Sequence, residues 1–177
     1  MLQQQRQKTI QLGNNKKLVQ KGIFYENSSI LKQGIKKVIN NDNHQVEQLY
    51  QGQFYKQNNQ LKGDKLVAKL KNGRFFMDGK IKFQGQFRQN GSYRQGILYT
   101  YLPINKGINT FEGTFHPDHT YDVGVASTNG IKFKEGEFYP NSNRLKRGIL
   151  YDKNGLKIKE GIFSENGELL KNIQVTR

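Results

Sequence analysis

The sequence predicts an all-β chain, an elongated single-layer antiparallel meander built from about six β-hairpin repeats. Three observations carry that expectation. A Gly-x-Phe unit recurs at Gly22–Phe24, Gly52–Phe54, Gly85–Phe87, Gly113–Phe115, Gly136–Phe138 and Gly161–Phe163. A second glycine follows 11 or 12 places later at Gly34, Gly63, Gly96, Gly124 and Gly148, with Asn172 in the last copy. Turn-forming pairs stand between the runs: Asp78-Gly79, Asn90-Gly91, Asn129-Gly130, Asn154-Gly155 and Asn166-Gly167. Asn-Gly and Asp-Gly tolerate the positive φ that tight hairpins demand.

Taken in order, residues 1–17 read as a basic flexible arm, or as a strand added to the first hairpin, and residues 18–177 as the repeat array. Each copy has one grammar: a strand ending in Gly-x-Phe, a turn, then a return strand running Leu/Tyr-Lys/Arg-x-Gly. The leading glycines are 30, 33, 28, 23 and 25 residues apart, which assigns the extra residues to loops at 35–49, 64–81 and 97–110. Such one-sided variation is what a repeat array with a functional rim shows. Within "FQGQF", 83–87, alternation puts Phe83, Gly85 and Phe87 on one face, and a missing side chain there leaves room for a neighbour's ring over the backbone. In "IKFKEGEF", 131–138, and "LKIKEGIF", 156–163, the apolar residues slip out of phase, which predicts a β-bulge in each.

The bulk numbers agree with a thin sheet. Of 177 residues only 34% are hydrophobic, and 9 Tyr and 11 Phe supply much of the large apolar surface. Mean hydropathy is −0.84, too polar for a thick two-layer core. There are no cysteines, which removes disulfides, thiolate metal sites and cysteine nucleophiles together. "MLQQQRQKTIQLGNN" carries no continuous apolar run of the secretory kind, and "GILYTYLP" is far short of the roughly 20 residues that span a bilayer. The expectation is a soluble, cytoplasmic protein.

Net charge is +15, distributed unevenly: residues 1–21 carry +5, 22–49 zero, 50–110 +9, 111–135 −2, 136–160 +3 and 161–177 zero. A basic block favours an acidic partner, whether nucleic acid, anionic lipid or an acidic protein face. The same lysines also keep an exposed sheet soluble and protect its edges.

"YQGQF", "FQGQF", "FEGTF" and "KEGEF" resemble the opening of the MORN (membrane occupation and recognition nexus) repeat, written around Tyr-Glu-Gly-x-Phe, and related bacterial hairpin-repeat proteins fit about as well. The resemblance covers roughly residues 18–172, with degenerate copies whose second family glycine pair is a single glycine. It implies an elongated, twisted single-layer β-meander used as a binding platform. It implies no catalytic residues, since the shared positions are glycines and aromatics that build the sheet.

The residues themselves offer little for catalysis. "HPDHTYD", 116–122, gathers His116, His119, Asp118 and Asp122, but it stands where a hairpin turn is needed and its spacing fits none of the common metal-ligand motifs. The 14 acids are scattered, mostly at outward strand positions such as Glu112, Glu135, Glu137 and Glu160, not paired across a cleft. No glycine cluster leads into a helix as a phosphate loop would. The expectation is a non-enzyme with no cofactor and no metal.

The remaining constellation is a basic residue just before each second glycine: Lys32, Lys62, Arg94, Lys146 with Arg147, and Lys171, broken only by Asp122 in the fourth copy. Two strand spacings, about 10 Å, separate such positions in a meander. With Lys65, Lys69, Lys71 and Arg74 they make a candidate row for an acidic protein surface, with nucleic acid and anionic membrane as alternatives. Tyr25, Tyr55 and Tyr139 follow the repeat Phe and point to the opposite face, either as an exposed strip or as cover for it. Open end strands invite end-to-end or edge pairing with another copy.

Overall fold

The computed structural model describes residues 5–13, 15–26, 28, 30–56, 70–103 and 106–173. Among these there is no helix. Thirteen strands follow one another as an antiparallel meander: β1 (Arg6–Leu12), β2 (Lys16–Phe24), β3 (Leu31–Asn40), β4 (Val46–Phe54), β5 (Leu70–Met77), β6 (Lys80–Phe87), β7 (Tyr93–Tyr101), β8 (Ile108–Phe115), β9 (Tyr121–Thr128), β10 (Ile131–Phe138), β11 (Leu145–Tyr151), β12 (Lys157–Phe163) and β13 (Leu169–Asn172). The hairpin-repeat architecture of the sequence is thus present. The strands group into two compact units, residues 1–91 with β1 to β6 and residues 92–177 with β7 to β13.

Of the two expectations for residues 1–17, the added strand is what forms over Arg6–Leu12, which pairs with β2 from Arg6↔Gly22 to Leu12↔Lys16. The segment 35–49 is not a loop either. Residues 35–40 extend β3 and 46–49 open β4, since Ile35, Val38, Ile39, Val46 and Tyr50 are β-branched or aromatic residues that suit strands. In the same way 70–77, inside the expected loop 64–81, is β5.

The repeat glycines register against one another. In the first unit Gly22, Gly34, Gly52, Gly73 and Gly85 stand directly opposite on successive strands. In the second unit Gly96, Gly113, Gly124, Gly136, Gly148 and Gly161 do the same, and the row ends on Asn172. Gly73 therefore fills the place expected of Gly63, which lies outside the described residues; "LKNG", 70–73, repeats the grammar of "LKQG", 31–34.

The reason for glycine is backbone against backbone. A Cβ on Gly52 would lie 2.1 Å from the carbonyl oxygen of Asn72 and 2.7 Å from the Cα of Gly73; one on Gly136 would lie 2.0 Å from the Arg147 oxygen. Their φ values, +148° and +142°, belong to a region that L side chains rarely adopt. The expected ring over the backbone is added at Gly124, where Phe111 Cζ is 2.8 Å from the Cβ position.

Each repeat Phe closes a core cluster on the same face as its glycine. Phe24, Leu31, Phe54, Leu70, Phe83 and Phe87 are buried in the first unit, and Phe111, Phe115, Phe138, Leu145 and Phe163 in the second. Burying each such ring contributes about 1.5–3 kcal/mol. Rings meet along the strand and across it: Phe83 and Phe87 edge to face at 4.9 Å, and Phe111 stacked on Tyr121 at 3.8 Å.

The predicted bulges exist. Phe133 is the extra residue between Lys132↔Ser127 and Lys134↔Ala126, and Ile158 the extra one between Leu150↔Lys159 and Tyr151↔Lys157. The turns differ in kind. Asp78-Gly79 and Asn129-Gly130 have positive φ at both residues, as a two-residue hairpin turn requires. At Asn90-Gly91 and Asn166-Gly167 only the glycine does, at the end of a four-residue turn closed by Gly91 N–H to the Arg88 carbonyl and Gly167 N–H to the Ser164 carbonyl, both 2.9 Å.

Candidate binding face

A second bulge recurs in the return strands, and it explains the repeated basic residue. Ile23 faces Gln33 and Phe24 faces Leu31, so Lys32 is the unpaired extra residue. Lys71 holds that place between Gln53↔Asn72 and Phe54↔Leu70, and Lys146 between Glu137↔Arg147 and Phe138↔Leu145. A bulge residue has no partner across the ladder, so a long solvated side chain suits it. Lys32, Lys71 and Lys146 are all exposed. Within the first unit Lys32 and Lys71 occupy the same register position two strands apart, about 10 Å.

The structure changes the membership of the row. Lys62, Lys65 and Lys69 lie outside the described residues, and Lys71 takes the role assigned to Lys62. In the last copy the bulge residue is Leu170, while Lys171 pairs with Ile162 and is the counterpart of Arg147. Asp122 interrupts the series in β9, where it accepts a 2.9 Å hydrogen bond from Thr114 Oγ1. Arg94 is exposed two residues before Gly96. Arg74 stands apart from the bulges, opposite Gln51 and Gln84, and its Nε donates to Gln84 Oε1 at 3.1 Å.

On the face away from the core, side chains flank the glycine row of the first unit. An open trough of about 400 Å³ runs over Gly22, Gly34 and Gly52, walled by Lys21, Ile35 and Gln51 on one side and Ile23 and Gln33 on the other. The second wall continues as a line of amides, Gln33, Gln53, Asn72 and Gln86, directly opposite on four successive strands and all exposed. The amide line is legible in sequence only once Gly73 replaces Gly63 in the register.

A buried polar pair interrupts the core face of the first unit. Lys36 is 4% exposed and lies opposite Gln20, 1% exposed, and Tyr50. Its Nζ sits 4.8 Å from the centre of the Phe54 ring, and burial lowers its pKa from the usual lysine value to about 8. The corresponding return-strand positions, two past the glycine, hold Phe75, Leu98, Ala126 and Leu150.

The tyrosines after the repeat Phe are neither a free strip nor simple cover. Tyr25 donates its hydroxyl to the Phe54 carbonyl at 3.0 Å, Tyr55 to the Phe87 carbonyl at 2.8 Å, and Tyr139 to the Phe163 carbonyl at 2.8 Å. Each ties one copy to the next. His116 stands in the same place in the fourth copy; its Nε2 is 3.7 Å from Asp122 Oδ1. His119 packs edge-on against Tyr93 at 4.6 Å, and among the described residues no group of three or more His, Asp or Glu is placed to hold a metal ion.

In the second unit the position before each leading glycine is acidic. Glu112, Glu135 and Glu160 alternate with Val125 and Ile149 along one row. Lys132 pairs with Glu135 at 3.1 Å, and Lys157 pairs with Glu160. Tyr151 donates to Glu135 Oε2 at 2.8 Å; desolvation and this carboxylate push its pKa up to about 12.

No family model, curated protein or solved structure matches the chain. Among the described residues no helix is long and apolar enough to cross a membrane.

Proposed function

We propose that this chain is a non-catalytic binding scaffold, a MORN-like hairpin-repeat module whose first unit presents a basic sheet surface to an acidic protein partner. The observation that carries the reading is the state of the exposed lysines there. Lys21, Lys32 and Lys71 make no ion pair among the described residues, in a unit with 17 basic and 5 acidic residues. Unpaired cations beside an amide-lined trough suit a partner that brings both carboxylates and backbone groups, since amides both donate and accept.

The tyrosine hydroxyls weigh against the nucleic-acid alternative. Base stacking needs free ring faces, whereas Tyr25, Tyr55 and Tyr139 are half-buried and bonded to the next copy. The test is titration of the full chain with a labelled glutamate-rich peptide, a mixed-sequence oligonucleotide and anionic vesicles over a range of salt. Preference for the peptide, lost in a Lys21→Glu, Lys32→Glu, Lys71→Glu variant, supports the scaffold reading. Tight, steeply salt-dependent binding to the oligonucleotide or the vesicles would replace it, and binding to none of the three would remove the basic face as a site.

A further inference from the structure

One row of side chains on the face away from the core, three ladder steps from the glycines, differs in kind between the two units. In the second unit it reads Tyr99, Thr110, Ser127 and Lys132, directly opposite on successive strands, a largely polar cover that suits a sheet face in water. In the first unit it reads Val19, Lys37, Leu49, Phe76 and Ile81. Phe75 stacks on Tyr50 across the core face at 4.8 Å, so strand alternation turns Phe76 to the outer one. There Val46, Leu49 and Phe76, with Glu47 and Gly79, line an open pocket of about 240 Å³. Gly79 keeps its mouth clear, since a Cβ built there meets no atom within 4 Å. The Glu47 carboxylate is already neutralised by Lys16 Nζ at 2.8 Å and accepts from Asn40 Nδ2 at 3.4 Å. The neighbouring cations are not neutralised. Lys37, directly opposite Leu49, and Lys17, opposite Ile39, make no ion pair among the described residues.

We infer that this pocket takes one leucine-sized apolar side chain of the acidic protein partner, with carboxylates beside that side chain meeting Lys17 and Lys37. The inference deepens the basic-face reading and rests on it. Size sets the apolar part: a cavity of about 150 Å³ already holds a benzene ring, so one branched aliphatic or phenyl group suits this one. Charge sets the rest, because two unpaired ammonium groups beside an apolar pocket are complemented by acids flanking an apolar anchor. Depth favours a protein over a bilayer. Val46, Leu49 and Phe76 are half-buried around a hollow, whereas insertion among lipid headgroups takes apolar side chains that stand clear of the surface.

The experiment titrates the full chain against two labelled glutamate-rich peptides, identical except for leucine or alanine at the centre. The leucine peptide is expected to bind about tenfold more tightly, and added salt weakens both alike. Leu49→Thr with Phe76→Ser, the residues that the second unit places at these positions, removes the difference and leaves the alanine peptide's affinity unchanged. The two peptides are compared on the unaltered protein, so the test does not depend on how that variant folds. Equal affinity for both peptides overturns the inference and leaves the basic-face reading standing, whereas binding of neither removes both. A leucine preference that persists in a folded double variant, or that is as large in a lysine-rich peptide, also overturns it. So do two other occupants: anionic vesicles bound by the chain and released by the double variant, or a mass above 20.5 kDa for the chain alone that the double variant abolishes.

Discussion

The two units are built on one plan and charged on two. Each carries an unbroken line of glycines, a buried Phe two residues after each leading glycine and a tyrosine clamp to the following copy. Yet residues 1–91 have 17 basic and 5 acidic residues, and residues 92–177 have 12 and 9. Before the leading glycine the first unit has Lys21, Gln51 and Gln84, and the second has Glu112, Glu135 and Glu160. What must be shared is what meets the neighbouring strand's backbone or the core. What faces water is free to differ, and the proposed binding role rests on that difference.

If that division holds, a ladder glycine is equally costly to replace in either unit. Gly52→Ala and Gly136→Ala each force a Cβ to about 2 Å from a carbonyl oxygen at a φ that alanine disfavours, so each is expected to lose upward of about 3 kcal/mol in urea unfolding. Gly79→Ala, where no atom lies within 4 Å and only the φ of +73° is unfavourable, loses about 1 kcal/mol. Equal losses at all three sites would show that the close approach is not what selects glycine.

A second difference belongs to the first unit alone. Lys36 titrates near 8 when folded and near its ordinary value when unfolded. Between those values the unfolded chain binds the extra proton, so stability rises with pH through that window and the penalty is complete below it. At 1.36 kcal/mol per pKa unit the rise is at most about 3 kcal/mol. Lys36→Met, matching the apolar residues at the corresponding positions, is expected to remove the slope and raise stability at neutral pH. Thermal unfolding from pH 7.5 to 9.5 would reveal an unchanged slope if Lys36 were not its source.

The clamps set a smaller, shared effect. Tyr25→Phe, Tyr55→Phe and Tyr139→Phe each remove a part-buried hydrogen bond to the next copy, worth about 1 kcal/mol. Chemical unfolding of the single variants checks this, and no loss in any of them would mean that water replaces the tie. Smallest of all is the surface pairing of the second unit. Glu135→Gln weakens contacts to Lys132 and Tyr151 at an exposed site, and is expected to change stability by less than about 1 kcal/mol, less still at high salt.

The repeat spacing alone announced an antiparallel meander, the two bulges at 131–138 and 156–163, and the Phe core, because glycine, aromatic and turn residues have strong local requirements that recur at fixed intervals. It misplaced the copies wherever two glycines competed for one role. Gly63 and Gly73 both follow Gly52 within reach of a return strand, and only the pairing Gly52↔Gly73 shows which one meets the neighbouring backbone. From that choice follow the identity of the bulge lysine, Lys71 in place of Lys62, and the alignment of Gln33, Gln53, Asn72 and Gln86 into one line.

Lys36 and Phe76 mark the limit from the other side. Lysine reads as exposed and phenylalanine as core by composition, and each departs from that because of what stands across the sheet: Lys36 lies opposite Gln20 and Tyr50 and beside the Phe54 ring, while Phe76 lies opposite Leu49 and Ile81 on the outer face. Which residues can build a strand, a turn or a bulge is a property of the local chain. Which of them share a face, lose water or line an edge depends on register between strands whose opposed glycine-row residues are 11 to 21 positions apart, and that was decided only when the sheet closed each pair.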